Sequence, residues 1–421
     1  MNTPLEDPAI LPASTAAPLQ TLQTLQSQIA HAIKAAGGWI GFDTFMQLAL
    51  YTPGLGYYSR NAQQFGLMPA RSAGQPGSDF ATAPEISPHF GRTLAQQVAE
   101  AMDVTGCSEV WEFGAGSGAL AEQVLQTLGS RIGRYTIVDL SGSLRQKQQQ
   151  RLAVFGSQVA WVDALPEAIQ GIVLGNEVLD AMPVKLLVRP AAASAWLERG
   201  VALAPEASLH TTEGGSVFAF VDRPSALEPP LEAGAAQQLD AHTSYVTEIH
   251  PQAEAFIRTL ADRLKSGAIF LIDYGFPAHE YYHPQRSMGT LMCHRAHQMD
   301  GNPLLDVGDK DITAHVNFTS IALAGQDAGL RVVGYTSQGR FLLNCGLLAL
   351  PALSDTTDRG GVAGLSERSR LQKLINEHEM GELFKVIAFA AIPPAHDPEA
   401  RKRLENWQPL GFAVGDRLHT L

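Results

Sequence analysis

Apolar positions along this chain keep two rhythms. Leu22, Leu25, Ile29 and Ile33 recur every three or four residues, so the spacing predicts a helix that stops at Gly37-Gly38. A second helical pattern runs from Phe42 to Tyr51 and ends at Pro53-Gly54. Further on the rhythm changes. Short apolar runs around Val110 to Phe113, Tyr135 to Val138, Val159 to Val162, Ile172 to Gly175, Ala268 to Ile272, Leu330 to Tyr335 and Phe384 to Ala391 predict buried strands. Between them lie helical patterns at Leu120, Val124 and Leu125, at Leu144 to Phe155, at Pro251 to Leu264 and at Phe318 to Ala328. Strands alternating with helices predict an α/β fold built on a mostly parallel sheet.

Residues Arg189 to Thr243 interrupt the alternation. They contain β-like pieces (Val217 to Val221) and a Pro/Ala/Glu-rich stretch from Arg223 to Ala236, and predict an insertion that caps the active face. The chain then divides into a disordered tail (1–18), a helical and loop segment covering the active site (19–106), and the first part of the core (107–188). The inserted cap (189–243), the rest of the core (244–392) and a C-terminal tail (393–421) follow.

The first apolar run ends abruptly in Gly114, Gly116 and Gly118, and a helix begins at once. Glycines suit a turn against which a ligand lies, because a side chain would block the approach. The following helix offers unpaired N–H groups and the positive end of its dipole. Such a turn is a nucleotide-type site, with a glycine turn that binds nothing as the plain alternative. Gly114, Gly116 and Ala119 satisfy the dinucleotide pattern of NAD enzymes. Gly114, Gly116 and Gly118 equally satisfy the tighter turn of S-adenosylmethionine (SAM) enzymes, with Glu112 at the strand end. In either class Asp139, closing the second strand, is placed for two ribose hydroxyls. Asp163, closing the third, is placed for an adenine amino group.

The fourth strand leads straight into N-E-V-L-D-A-M-P, Asn176 to Pro183. Functional groups in open parallel sheets gather at the carboxyl ends of strands. Glu177 and Asp180 share a face if the segment turns helically, although two acids also occur simply at a solvated helix start. Tyr57 and Tyr58, in P-G-L-G-Y-Y-S, pack in the core or wall a pocket. Gln63 to Ser78 is rich in Gly, Pro, Ser and Gln and predicts a mobile loop. It delivers the chain to the dense segment Asp79 to Gly91, which contains Phe80. His294 and His297 have zinc-like spacing, but no third ligand follows a recognisable pattern. Substrate contact or structural hydrogen bonding is preferred, and no metal is expected.

Composition narrows the partners. With 45% hydrophobic and 17% charged residues the chain has the means for a sizeable core. Thirty basic against 42 acidic residues give a net charge of −12, which argues against nucleic acid and tolerates a cationic substrate. Cys107, Cys293 and Cys345 form neither a disulfide framework nor a zinc pattern, so a reducing compartment fits. The N-terminus lacks a cationic flank and no apolar run reaches spanning length. No membrane insertion is expected, and the location expected is cytoplasmic.

Six blocks then carry a resemblance. P-G-L-G-Y-Y-S, D-F-A-T-A-P-E-I-S-P-H-F-G, E-F-G-A-G-S-G, G-N-E-V-L-D-A-M-P-V, I-D-Y-G-F and T-A-H-V-N-F (Thr313 to Phe318) occur in order. Together, over about residues 37–392, the chain resembles the MidA family of SAM-dependent methyltransferases, and E-M-G at Glu379 to Gly381 also fits. That resemblance implies a class I core: a seven-stranded, mostly parallel sheet with an antiparallel final hairpin. It implies SAM as cofactor and, from the mitochondrial member, methyl transfer to a protein arginine. One departure is visible, since Ala115 and Ser117 stand where G-P-G-R-G is expected.

By resemblance and position, Gly114, Gly116 and Gly118 approach the methionine part of SAM, Asp139 takes the ribose and Asp163 lies near adenine, with Asn176 also on the cofactor. Glu177 and Asp180 grip a guanidinium, and Tyr58, Phe80, His294 and His297 belong to the substrate pocket. Two other functions stay open: methylation of a small molecule or another side chain, and a non-catalytic assembly module on this fold. Oligomeric state stays open as well.

Overall fold

A computed structural model describes residues 16–59, 82–139, 142–193, 195–205, 216–231, 239, 242–295, 298–350, 362–393 and 397–421. Among the described residues, seven strands form the body of the main sheet. They are Glu109–Phe113 (β1), Arg134–Val138 (β2), Val159–Val162 (β3), Ile169–Asn176 (β4), Leu264–Phe276 (β5), Leu330–Ser337 (β6) and Phe384–Ala391 (β7). Across the sheet they run 3-2-1-4-5-7-6. β7 is antiparallel to β5 and β6, and the remaining pairs are parallel. This is the expected architecture.

The central strands read as continuous apolar runs because both of their faces are covered. Ile172 and Leu174 of β4 and Phe270 and Ile272 of β5 pack on one side with Phe90, Leu94 and Val98 of the helix His89–Thr105. Val173, Ile269 and Leu271 pack on the other side with Ile257 and Leu260 of Pro251–Arg263 and with Ile321 of Phe318–Asp327. Each such side chain stabilises the fold by about 1.5–3 kcal/mol relative to exposure. Beyond Asp273, β5 accepts one more parallel neighbour, the two-residue strand Val316–Asn317. Gly275 permits that approach, since a Cβ there would strike the Val316 carbonyl oxygen.

A second, antiparallel sheet contains Ile40–Gly41, Lys185–Arg189, Leu197–Leu203, Phe218–Pro224 and Tyr245–Ile249. It extends past the expected insertion at both ends. Residues 206–215 and 232–238 of that insertion lie outside the described residues. The helices Ala16–Ala35 and Phe42–Tyr51 pack on this sheet, with Leu25, Ile29, Phe42 and Phe45 against Leu186, Val201 and Phe218. The expected tail over 1–18 is therefore corrected at its end: Ala16 to Pro18 are already helical, and residues 1–15 are outside the described set.

The expected C-terminal tail is a packed element. Trp407 meets Phe270 edge-on at 6.5 Å between ring centres, and Phe412 meets Phe341 at 5.4 Å. Arg417 forks onto Glu382 and donates its backbone N–H to the Tyr335 carbonyl at 2.7 Å. Burying two large aromatic rings outweighs the cost of ordering the few residues that carry them.

Candidate active site

A cavity of about 1100 Å³ opens beside the carboxyl ends of β1 and β4. In a doubly wound sheet this crevice forms where neighbouring strands lead their connections to opposite faces. Gly114, Gly116, Asp139, Asp163, Asn176, Glu177, Asp180, Tyr58 and His294 all line it. Gly118 is not in the wall. It stands behind, opening the helix Ala119–Leu128. Phe80, His297 and the Gln63 to Ser78 loop lie outside the described residues. Among the described residues of 189–243 none lines the cavity. That region supports the helix Phe42–Tyr51, which with the turn after it contributes Tyr51, Pro53, Gly54 and Tyr58 to the cavity wall.

At the glycine end, Gly114, Gly116 and Gly118 have φ of 61°, 52° and 81°, left-handed values that other residues adopt at a cost. A Cβ on Gly114 would also lie 3.0 Å from the Val178 side chain. Asp139 is buried and held by Gln148, whose Nε2 donates to its Oδ2 at 2.7 Å and to the Gly116 carbonyl at 2.9 Å. Trp161 Nε1 in turn donates to Gln148 Oε1 at 3.0 Å. Arg145 pairs with the largely exposed Asp163 and donates to the Asp139 carbonyl at 3.2 Å. Ser117, one of the two departures in the turn, donates to Glu85 and accepts from Arg151 at 2.6 Å. Behind the turn, Tyr135 donates to Glu112 at 2.7 Å. Burial pushes Glu112 up to about 7, Tyr135 opposes the shift and Asp139 adds to it.

The other end of the cavity is acidic and aromatic. Asn176 to Asp180 does not turn helically. Glu177 sits at φ 54°, uncommon for a residue with a side chain, and donates its N–H to the Ile272 carbonyl at 2.9 Å. Glu177 and Asp180 still reach one cavity, brought there by a tight turn. Asn176 Nδ2 donates to Glu177 Oε1 at 2.9 Å. Burial, then the neighbouring Asp180, pushes Glu177 up to about 8; burial raises Asp180 to about 6, against the Tyr274 hydroxyl. Asp180 Oδ1 and Asn176 Oδ1 are buried with no hydrogen-bond partner among the described residues. Among the described lining residues there is no lysine or arginine.

Several wall residues escaped the sequence reading. Tyr51 stacks on Tyr58 at 5.6 Å and donates to the Ala181 carbonyl at 2.9 Å. Tyr58 donates to Asp311 at 2.8 Å, across 253 positions of chain. His315 lies between Tyr274, edge-on at 5.0 Å, and Phe276, stacked at 5.3 Å. Burial, then Arg286, lowers His315 to about 4, so its ring is neutral at physiological pH. Tyr274 carried a usable signal, because it closes an apolar strand. Tyr57 is fully buried in the core, and only its neighbour Tyr58 walls the pocket.

Strand order 3-2-1-4-5-7-6, a glycine turn after β1 and acids after β2 and β3 define a class I methyltransferase. The profile of a family described as "Putative S-adenosyl-L-methionine-dependent methyltransferase" matches residues 93–336, more than half of the chain. The chain belongs to that family. It is 26% identical over 384 residues to the mitochondrial protein arginine methyltransferase NDUFAF7 of Danio rerio, covering 83% of each chain. To the Homo sapiens protein of the same name it is 28% identical over 391 residues, covering 83% of this chain and 79% of that one. A crystal structure of a COG1565 superfamily member from Burkholderia thailandensis, bound to S-adenosyl-homocysteine, is 45% identical with a TM-score of 0.83. That match covers 98% of this chain and 100% of the other.

SAM is accordingly the cofactor, and the dinucleotide reading of the turn is set aside. The residues present fit it. The glycine cradle is open to the cavity, Asp139 offers a braced carboxylate, and Asn176 Oδ1 is an acceptor with no donor among the described residues. No helix among the described residues is long and apolar enough to cross a membrane.

Proposed function

We propose that this chain methylates the guanidinium group of an arginine in a protein substrate. The observation that carries the reading is the pair Glu177 and Asp180, buried carboxylates on a cavity whose described walls contain no positive side chain. Buried acids without a counter-charge are costly unless a cation arrives. A guanidinium presents several N–H donors in a planar fork that matches two carboxylates, whereas a lysine ammonium is a point charge. The relatives named as protein arginine methyltransferases support the same acceptor.

In this reading SAM supplies an electrophilic methyl group on a sulfonium. The turn at Gly114 and Gly116, with Gly118 shaping it from behind, takes the methionine part, Asp139 the ribose hydroxyls and Asp163 the adenine side, with Asn176 between cofactor and acceptor. Glu177 and Asp180 hold one guanidinium nitrogen in line, and Tyr51, Tyr58 and Tyr274 exclude water around it. Replacing a guanidinium hydrogen by methyl releases one proton, and the Glu177 carboxylate, raised to about 8, is suited to receive it.

The test incubates the protein with SAM and matched peptides carrying a single arginine, lysine or histidine, and locates the methyl group by fragmentation mass spectrometry. Methylarginine is expected. A methyl group on another side chain, or turnover confined to small molecules, would overturn the reading.

A further inference from the structure

One carboxylate beside the cavity does not line it. Asp273, almost fully buried near the end of β5, accepts four backbone N–H groups. Its Oδ2 takes those of Val178 (3.1 Å), Leu179 (2.9 Å) and Asp180 (3.2 Å), and its Oδ1 takes that of Tyr274 (2.9 Å). Lys385, opposite Asp273 across the sheet, pairs with Glu382 instead. Successive amides converging on one oxygen form an anion nest. Here the nest is closed around an anion of the protein itself, and it spans the residues between Glu177, at φ 54°, and Asp180.

We propose that Asp273 is the positioning residue of the acceptor clamp: it folds residues 178–180 into the turn that aims Glu177 and Asp180 into the cavity, and it backs them with a fixed negative charge. The proposal rests on the guanidinium reading above. Removing Asp273 would leave three consecutive N–H groups of a buried turn without an acceptor, each a group that seldom goes unpaired. The charge placement follows from the hydrogen bonds. Burial, Asp180 and Glu177 push Asp273 up, and the N–H donors oppose them. Those donors occupy both oxygens and favour the ionised form of Asp273, which sets a negative charge behind Glu177 and Asp180. Among the described residues, the other charged or titratable groups facing the trio are Tyr274, Lys385, Asp311, Tyr51 and Tyr58.

Asp273→Asn removes the charge, and either orientation of the carboxamide sets its NH2 against an N–H donor. Hydrogen exchange over residues 177–182 is expected to accelerate by about 100-fold or more, with the rest of the sheet still protected. S-adenosyl-homocysteine affinity should stay within about threefold, and kcat toward an arginine peptide should fall by about 100-fold. The rising limb of kcat/KM should also move to lower pH, because Glu177 and Asp180 lose a like charge behind them. A loss of packing alone would lower activity and leave that limb in place.

Asp273→Glu keeps the charge and shifts the oxygens by one methylene. Its kcat should fall with the limb unmoved, and it decides the matter if the asparagine variant does not fold. Wild-type exchange at 177–182 in a folded variant, or a limb unmoved in Asp273→Asn, overturns the proposal. The exchange measurement involves no acceptor. Local deprotection in a protein whose wild type leaves arginine untouched would support the role of Asp273 in the turn and sink the guanidinium reading alone.

Discussion

The two ends of the cavity treat negative charge in opposite ways. At the glycine end each acid has a partner: Gln148 holds Asp139, Arg145 meets Asp163, and Arg151 meets Glu85. At the acceptor end Glu177, Asp180 and Asp273 crowd together, tied to amides, one asparagine side chain and the Tyr274 hydroxyl, with no cation among them in the described residues. Ribose hydroxyls are neutral and need an acceptor already braced in place. A cation benefits from acids that its arrival discharges. The first end is therefore prepared before binding, and the second is completed by it.

The sharpest way to break this contrast is Glu177→Gln, which keeps the shape and removes the charge. Methyl transfer to an arginine peptide is expected to fall by about two orders of magnitude or more, as for loss of a buried charged hydrogen bond in a transition state. S-adenosyl-homocysteine affinity, read by calorimetry, should barely change. A variant that loses cofactor and keeps turnover at saturating SAM would assign Glu177 to the glycine end.

A pH profile probes the same end in the unmodified protein. Glu177 and Asp180 must be ionised to grip a cation, and burial raises them to about 8 and about 6. kcat/KM should therefore climb as pH rises between those values and then level off. A profile flat from pH 5 to 9 contradicts the clamp. Asp139→Ala tests the other end: it should weaken S-adenosyl-homocysteine binding by about 1–3 kcal/mol, because the ribose loses a buried acceptor. Acceptor KM should stay near its original value.

Stability gives a smaller and independent reading. The folded-state value of Glu177 lies above the ordinary glutamate value, so this group's contribution is fully present below about pH 4.5. It is lost as pH rises through about 8. Glutamine does not ionise. Glu177→Gln should accordingly raise stability near pH 8.5 by about 1–3 kcal/mol, discounted because the side chain is partly open to the cavity. That gain should vanish at pH 4, and denaturant melts at the two pH values check it. The smallest effect belongs to Asp163→Ala. Its carboxylate is 77% exposed, so the change should cost less than about 1 kcal/mol of cofactor binding.

How legible the molecule was depended on the range of the interactions. The glycine turn, Asp139 and Asp163 each follow a strand within a residue or two, and their places could be read from local pattern alone. Glu177 and Asp180 were found for the same reason, although the turn that joins them is left-handed at Glu177 instead of helical. Asp311 and His315 were not found. They reach the cavity because the segment carrying them is pinned to β5 at Gly275 and to the Asp180 carbonyl, contacts with no local pattern. The described part of the expected cap stands away from the cavity for a similar reason. Composition marked 189–243 as foreign to the core, but composition carries no information about which face an added sheet covers.

The sequence by itself determined the alternation of strands and helices, the nucleotide turn and the acids at strand ends. Periodicity and backbone freedom are properties of a few neighbouring residues. Tertiary structure alone decided which acids would share one low-dielectric space. Glu177, Asp180 and Asp273 are ordinary carboxylates in the unfolded chain. They become a cation site only when β4 and β5 lie side by side, because desolvation and mutual repulsion arise from proximity in space.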